Sequence, residues 1–173
     1  MIVVGIDNGL SGGIACVGNQ EQLLEVFPMP IVKSNKRTEY DMREIINKIK
    51  TIQKLDTNVI AILEQAAVRP VSGKRACFMN GQCYGIMRGI LNALDISCVI
   101  VTPNRWMKEI LAGTNQKDKK GSIKYCLNKY PAYSFKATER CTKYHDGCTD
   151  AVCLALWGVR NIGTQDNPIW TEL

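Results

Sequence analysis

The first fifteen residues, MIVVGIDNGLSGGIA, constrain the fold more than any other stretch. Ile2, Val3, Val4 and Ile6 form a β-branched run that reads as a buried strand, and Asp7 closes it. A carboxylate at the end of a buried strand has to be paired or metal-bound, because burying an isolated charge costs too much free energy. Asn8-Gly9 is a two-residue hairpin signal. Gly12-Gly13 then leads into a second apolar run, Ile14 to Val17. Asp7 is therefore expected where a strand turns back beside glycines, uncrowded and open to a metal or a phosphate.

The same event recurs. Gln22 to Phe27 reads as a third strand, which completes an antiparallel meander, and residues 31 to 39 read as a polar, basic loop. Tyr40, Met42, Ile45, Ile46, Ile49 and Ile52 recur at helical spacing, so residues 40 to 54 are predicted to form an amphipathic helix. Val59 to Leu63 is a fourth, fully buried strand, and Glu64 ends it. In α/β sheets, sites form at the carboxyl ends of strands. After a loop over 66 to 76, a long helix is predicted over 77 to 94. Gly81, Gly85 and Gly89 repeat at i, i+4, i+8 along it. Such a stripe fits the close approach of another backbone, a partner subunit or a nucleic acid, and equally fits tight packing on the sheet. Ile96 to Val101 is a fifth strand, Thr102-Pro103 opens a short helix with Pro at its first position, and 123 to 130 forms another.

The late segment HDGCTDAVCLALWGV, residues 145 to 159, turns helical from about Asp150. Asp146 and Asp150 are four residues apart, so both carboxylates point one way from the first turn. Each also has an ordinary explanation, Asp146 as an N-cap and Asp150 as a partner of the helix dipole. Taken together, Asp7, Glu64, Asp146 and Asp150 point to a metal site. Four clustered carboxylates raise one another's pKa and stay ionised only with cations. Hard divalent ions suit oxygen ligands, Mg²⁺ above all beside phosphate. Two such ions, about 4 Å apart, activate water and stabilise the leaving oxygen in phosphodiester hydrolysis.

Charge and composition limit the partners. The 173 residues suit one domain spanning 1–173 with a real core. The formal net charge of +6 is concentrated in three polar segments. These hold Lys33, Lys36 and Arg37; then Arg69, Lys74 and Arg75; then Lys117, Lys119, Lys120, Lys124 and Lys129. Three basic loops on one small domain suit a polyanion. No run is long enough to span a bilayer, and the chain opens directly on a strand. A cytoplasmic protein, bacterial or of an infected host cell, or an organellar one, is expected, neither secreted nor membrane-bound. Of eight cysteines none forms a CxxC pair. Cys141, His145, Cys148 and Cys153 do not have a familiar structural zinc spacing, so reduced thiols are expected.

The order of a three-strand meander, helix, strand, helix, strand and terminal helix is that of an RNase H-like domain, an α/β fold. Its five-stranded mixed sheet, a meander plus parallel strands, is flanked by helices and has strands one and four adjacent at its centre. The chain resembles RuvC-type Holliday-junction resolvases, especially phage and organelle variants. The resemblance is carried by GIDNGLSGGIA at 5–15, ILEQ at 62–65, YGIMRGIL at 84–91, VTPNRWMK at 101–108, KDKKGS at 117–122 and HDGCTDA at 145–151. It implies a homodimer that cuts four-way DNA junctions by paired symmetrical nicks, using Mg²⁺ with Mn²⁺ able to substitute. It assigns Asp7, Glu64, Asp146 and Asp150 as catalytic, metal-binding acids. Bacterial relatives carry the third ligand where this chain has Gly147, which leaves Asp146 and His145 as alternatives for that ligand, or His145 as a base. Lys117, Lys119 and Lys120 are implied at the scissile phosphate and Lys74 and Arg75 as further DNA contacts. Phe78 stands either near the junction centre or in the core at a helix start, and the glycine-stripe helix at the dimer interface. Three other readings remain: an actin-like ATPase loop, for which one domain is too few; a non-catalytic junction-binding module; and a less selective nuclease acting on branched DNA or RNA/DNA hybrids.

Overall fold

The computed structural model describes residues 1–35, 37–66, 73–113 and 120–162. The chain runs β1 (Ile2–Asp7), β2 (Gly13–Gly18), β3 (Leu23–Pro28), β4 (Ile31–Lys33), β5 (Thr38–Tyr40), α1 (Met42–Gln53), β6 (Val59–Glu64), α2 (Lys74–Ala93), β7 (Ser97–Val101), α3 (Pro103–Ile110), α4 (Gly121–Lys129) and α5 (Asp146–Ile162). Five strands form one mixed sheet in the order β3-β2-β1-β6-β7. The meander is antiparallel, and β6 lies parallel to both β1 and β7. The predicted α/β sheet, with the first and fourth strands of the sequence reading adjacent, is what forms.

Alternation along the strands builds two cores. Val3, Ala15, Val17, Ile60 and Ile62 face α3, α4 and α5. Ile2, Val4, Ile6, Ile14, Ala61 and Leu63 face α1 and α2. The α5 helix lies unusually close to the sheet because the contact is made of small residues. A Cβ on Gly5 would stand 2.0 Å from the Ala151 carbonyl oxygen, and one on Gly13 would stand 2.9 Å from the Cys148 Cα. No helix among the described residues is long and apolar enough to cross a membrane.

Four local expectations are corrected. Asn8-Gly9 is not a two-residue hairpin: Asp7 pairs with Gly13, and five residues connect the strands. Type I′ turns need positive φ at both central residues, and among the described residues only Glu21, Asp95 and Gly113 have it. Residues 31–39 are not simply a loop, since Ile31–Lys33 and Thr38–Tyr40 pair as a hairpin. Consequently α1 starts at Met42, with the Asp41 side chain accepting from the Glu44 N–H. The long helix starts at Lys74 rather than 77, because Lys, Arg and Ala favour helix without showing any apolar period.

Candidate active site

Pairing of β1 with β6 runs in register to Ile6 opposite Leu63, so Asp7 and Glu64 fall at the next position of neighbouring parallel strands. The pleat sends both to the face that Val3, Ile60 and Ile62 share with α5. Asp7 Oδ1 accepts the Gly9 N–H at 3.3 Å. Glu64 Oε1 accepts the indole N–H of the buried Trp106 at 2.8 Å, which anchors that carboxylate to α3.

The other two acids come from the first turn of α5, and their placement rests on a backbone fit. Gly12 bridges to Gly147 beside the meander. A Cβ at 147 would stand 2.5 Å from the Ser11 carbonyl oxygen and 2.6 Å from the Gly12 Cα. No side chain fits there, so an acid can stand at 146 but not at 147. His145, not Asp146, caps the helix: its Nδ1 accepts the Cys148 N–H at 3.2 Å. A neutral imidazole with Nδ1 so used carries its proton on Nε2 and presents a donor. Asp146 is thereby relieved of capping; it is exposed, and its Oδ1 accepts the Gly147 N–H at 3.0 Å.

Asp150 hydrogen-bonds Ser122, a buried residue in the first turn of α4. Ser122 Oγ in turn lies 3.2 Å from Thr149 Oγ1, which donates to the Asp146 carbonyl at 2.8 Å. Sequence reasoning missed Trp106 and Ser122 as supports. Both stand in the quoted VTPNRWMK and KDKKGS motifs, but neither carries a charge to draw attention.

The four carboxylates act on one another. Burial pushes the Asp7 carboxyl up to about 7, and the charges of Glu64 and Asp146 add to this. Burial likewise raises Asp150 to about 6 against the Ser122 hydrogen bond, with Asp7 and Asp146 contributing. Among the described residues no three His, Cys, Asp or Glu side chains are grouped closely enough to hold a metal ion as they stand. The acids act on one another through charge without closing into a cage, as mutual repulsion favours. Their chemistry, oxygen donors alone with two acids held well above their ordinary range, fits a hard divalent cation. The Cys141, His145, Cys148 and Cys153 group does not converge either, and all eight cysteines are free thiols.

The basic residues divide. Lys74, Arg75 and Lys120 are exposed, at the N-termini of α2 and α4. Lys129 instead pairs with Glu21 at 2.5 Å. Lys36, Arg69, Lys117 and Lys119 lie outside the described residues. Phe78 is 70% exposed, so it is no core residue. Gly81, Gly85 and Gly89 have open space at every added Cβ, so the stripe faces away from the sheet.

No family model matches the sequence, and no curated protein does. Solved structures do match. RuvC of Thermus thermophilus in complex with a Holliday junction substrate superposes with a TM-score of 0.65 at 14% identity, over 95% of this chain and 97% of that one. The chain has the RuvC-type, RNase H-like fold. A second Thermus thermophilus RuvC structure matches with a TM-score of 0.56 at 17% identity, over 95% and 98% of the two chains. The yeast mitochondrial Holliday junction resolvase Ydc2 matches with 0.55 at 12%, over 91% and 77%. On this RuvC-type frame Asp7 and Glu64 end two adjacent parallel strands of the sheet, and the start of α5 lies against the β1–β2 connection.

Proposed function

We propose that the chain is a divalent-metal-dependent endonuclease that cuts four-way DNA junctions as a homodimer. The observation that carries this reading is that Asp7 lies within electrostatic reach of Glu64, Asp146 and Asp150, acids from three separate elements, and that Asp7 and Asp150 are raised in pKa by burial first and by the other carboxylates second. A core with no use for anions has no reason to gather them. The kinship in fold with proteins solved on Holliday junction DNA supports the choice of substrate.

In this reading Asp7, Glu64, Asp146 and Asp150 hold Mg²⁺, which Mn²⁺ replaces. When bound, the metal supplies an acidified water and charge stabilisation for phosphodiester hydrolysis. The chain's own groups do the rest. Trp106 fixes the direction of the Glu64 carboxylate, and Ser122 that of Asp150. His145 caps α5 and offers its Nε2–H toward a phosphate oxygen. Lys74, Arg75 and Lys120, with Lys117 and Lys119 outside the described residues, neutralise the backbone. Phe78 meets the junction with its face uncovered. The outward glycine stripe of α2, with a shallow hollow of about 340 Å³ lined by Tyr84, Gly85, Arg88, Gly89 and Asn92, is where a second copy docks.

The test is a labelled synthetic four-way junction beside a linear duplex of the same sequence, each with Mg²⁺ and with EDTA. Paired symmetrical nicks in the junction alone, dependent on Mg²⁺, are expected. Equal cutting of both would replace the reading by a less selective nuclease. Binding without cutting would replace it by a binding module.

A further inference from the structure

Between Phe135 and His145 the chain leaves the body of the domain and returns to it at the same point. The His145 N–H donates to the Phe135 carbonyl at 2.7 Å, and Lys136 and Tyr144 form a single antiparallel bridge. Phe135 is buried, the Tyr133 ring stacks on it with centroids 6.5 Å apart, and the Tyr133 hydroxyl donates to the Leu23 carbonyl. The base of the loop is thus fastened to β3. Its tip is set as well: the Cys141 N–H donates to the Thr138 carbonyl at 3.0 Å, and Thr138 Oγ1 lies 3.2 Å from Cys141 Sγ. Residues 136–144 therefore make a closed, self-supported loop.

Its side chains are basic and unpaired. Lys136, Arg140 and Lys143 stand against one acid, Glu139. Arg140 and Lys143 are exposed, and among the described residues none of the three cations pairs with a carboxylate. Lys129 and Arg160, by contrast, are both held by Glu21. A cavity of about 420 Å³ opens at the loop, bordered by Arg140, Cys141, Lys143, Tyr144 and His145. His145 immediately precedes Asp146, so the cavity runs up to the start of α5 and its first acid.

Position and spread select the occupant. Lys136 stands at the base, Arg140 in the tip turn and Lys143 on the returning limb, so an extended anion engages them better than one small ion. An acidic peptide would lie beside Asp146, and like charges repel across a contact. A DNA strand with one phosphate at a metal held by the carboxylates avoids that repulsion. Its next phosphates, about 3.4 Å further along the axis per nucleotide, pass His145 and come over the loop. Because the backbone is already held, binding orders side chains only.

We propose that the loop 136–144 is a backbone clamp: Arg140 and Lys143, with Lys136 at the base, take the phosphates flanking the one to be cut, without reading the bases. This rests on the reading of the chain as a DNA nuclease. It adds a contact surface on the α5 side, separate from the basic N-termini of α2 and α4.

A labelled four-way junction and a linear duplex are titrated in EDTA with the wild-type chain, with Arg140→Ala/Lys143→Ala, and with Lys50→Ala/Lys54→Ala. The last removes the same charge from exposed positions at the end of α1, on the face of the sheet away from α5. The loop variant, folded by its melting curve, is expected to bind both DNAs about tenfold more weakly and to lower the slope of log affinity against log salt by about 2. The α1 variant should stay within about twofold of wild type, since its lost charges are screened from the site. Cys141 reports the same contact without a substitution. Its thiol is partly exposed, and its hydrogen bonds with Thr138, together with the Lys136 charge, hold it below the ordinary thiol range. Saturating DNA should slow its alkylation by iodoacetamide, read by mass spectrometry, about fivefold or more. A loop variant equal to wild type in affinity and slope, an equal loss in the α1 variant, or alkylation that DNA leaves unchanged overturns the proposal. A chain that grips linear duplex through these residues but neither prefers nor cuts four-way junctions overturns the junction reading and not this one. Binding to neither DNA overturns both.

Discussion

Replacing Asp7 by Asn is expected to stabilise the protein in EDTA while abolishing its activity. Asp7 ionises at about 7 in the fold against an ordinary 3.8, with burial the main cause and the Glu64 and Asp146 charges adding to it. The folded state therefore holds a proton that the unfolded chain has already lost between pH 4 and 7. Stability falls as pH rises through that window and is flat above it. Each tenfold in proton affinity is worth about 1.4 kcal/mol, so the full penalty at pH 8 is about 4 kcal/mol. Asp7 keeps some solvent contact, and the carboxylates titrate together, so about 2 kcal/mol is the working figure. Asn is isosteric, still accepts from Gly9, and carries no charge. Urea melts in EDTA at pH 4, 6 and 8 should show the two proteins equal at pH 4 and the variant ahead by about 2 kcal/mol at pH 8, roughly 4–8 °C in Tm. Mg²⁺ at pH 8 should narrow the gap by stabilising the wild type alone. A variant no more stable than wild type at pH 8, or a gap that does not grow with pH, would refute the claim that Asp7 is held in a repulsive, desolvated site.

Trp106→Phe keeps the ring in the core but deletes the N–H that anchors Glu64; junction cutting should slow by about tenfold in single-turnover assays with junction affinity unchanged. Gly147→Ala should destabilise by about 3 kcal/mol or more in urea melts, because its Cβ would meet rigid backbone. Gly85→Ala, with nothing within 4 Å, should instead stabilise the monomer by about 1 kcal/mol, and sedimentation should show weakened self-association. Glu21 sits at φ 59° and pairs with both Arg160 and Lys129, which hold its carboxyl at about 2. Because that pKa is depressed, its contribution is complete above about pH 4.5 and lost as pH falls toward 2; Glu21→Gln should forfeit about 1 kcal/mol at pH 7 after solvent screening, and nothing at pH 2.

The carboxylate ends of β1 and β6 were legible because a buried strand is a continuous apolar run, and a charge that stops it is conspicuous. Their adjacency followed from strand order. What was not legible has physical reasons. The β4–β5 ribbon has only Ile31 and Tyr40 as apolar residues turned inward, too few to show a period of two against the lysines around them. The sequence points to Asp146 as the α5 cap because aspartate is a favoured N-cap and histidine is not, whereas in the structure the His145 imidazole accepts the Cys148 N–H. Whether the glycines of α2 met the sheet or solvent depended on which face Cys83, Met87 and Leu91 buried.

The α5 helix packs against β1, β2, β3, β6, α3 and α4, and it supplies the central side chains of one core. It also carries half of the acids. Its amides should therefore exchange with solvent hydrogen only through global unfolding, together with those of β1 and β6, whereas the β4–β5 ribbon and the first turn of α2 open locally. The carboxylate geometry thus cannot loosen without the whole domain coming apart. In the proposed nuclease, any adjustment to the shape of a DNA substrate would have to be made by the ribbon and α2, leaving the carboxylates as stiff as the fold itself.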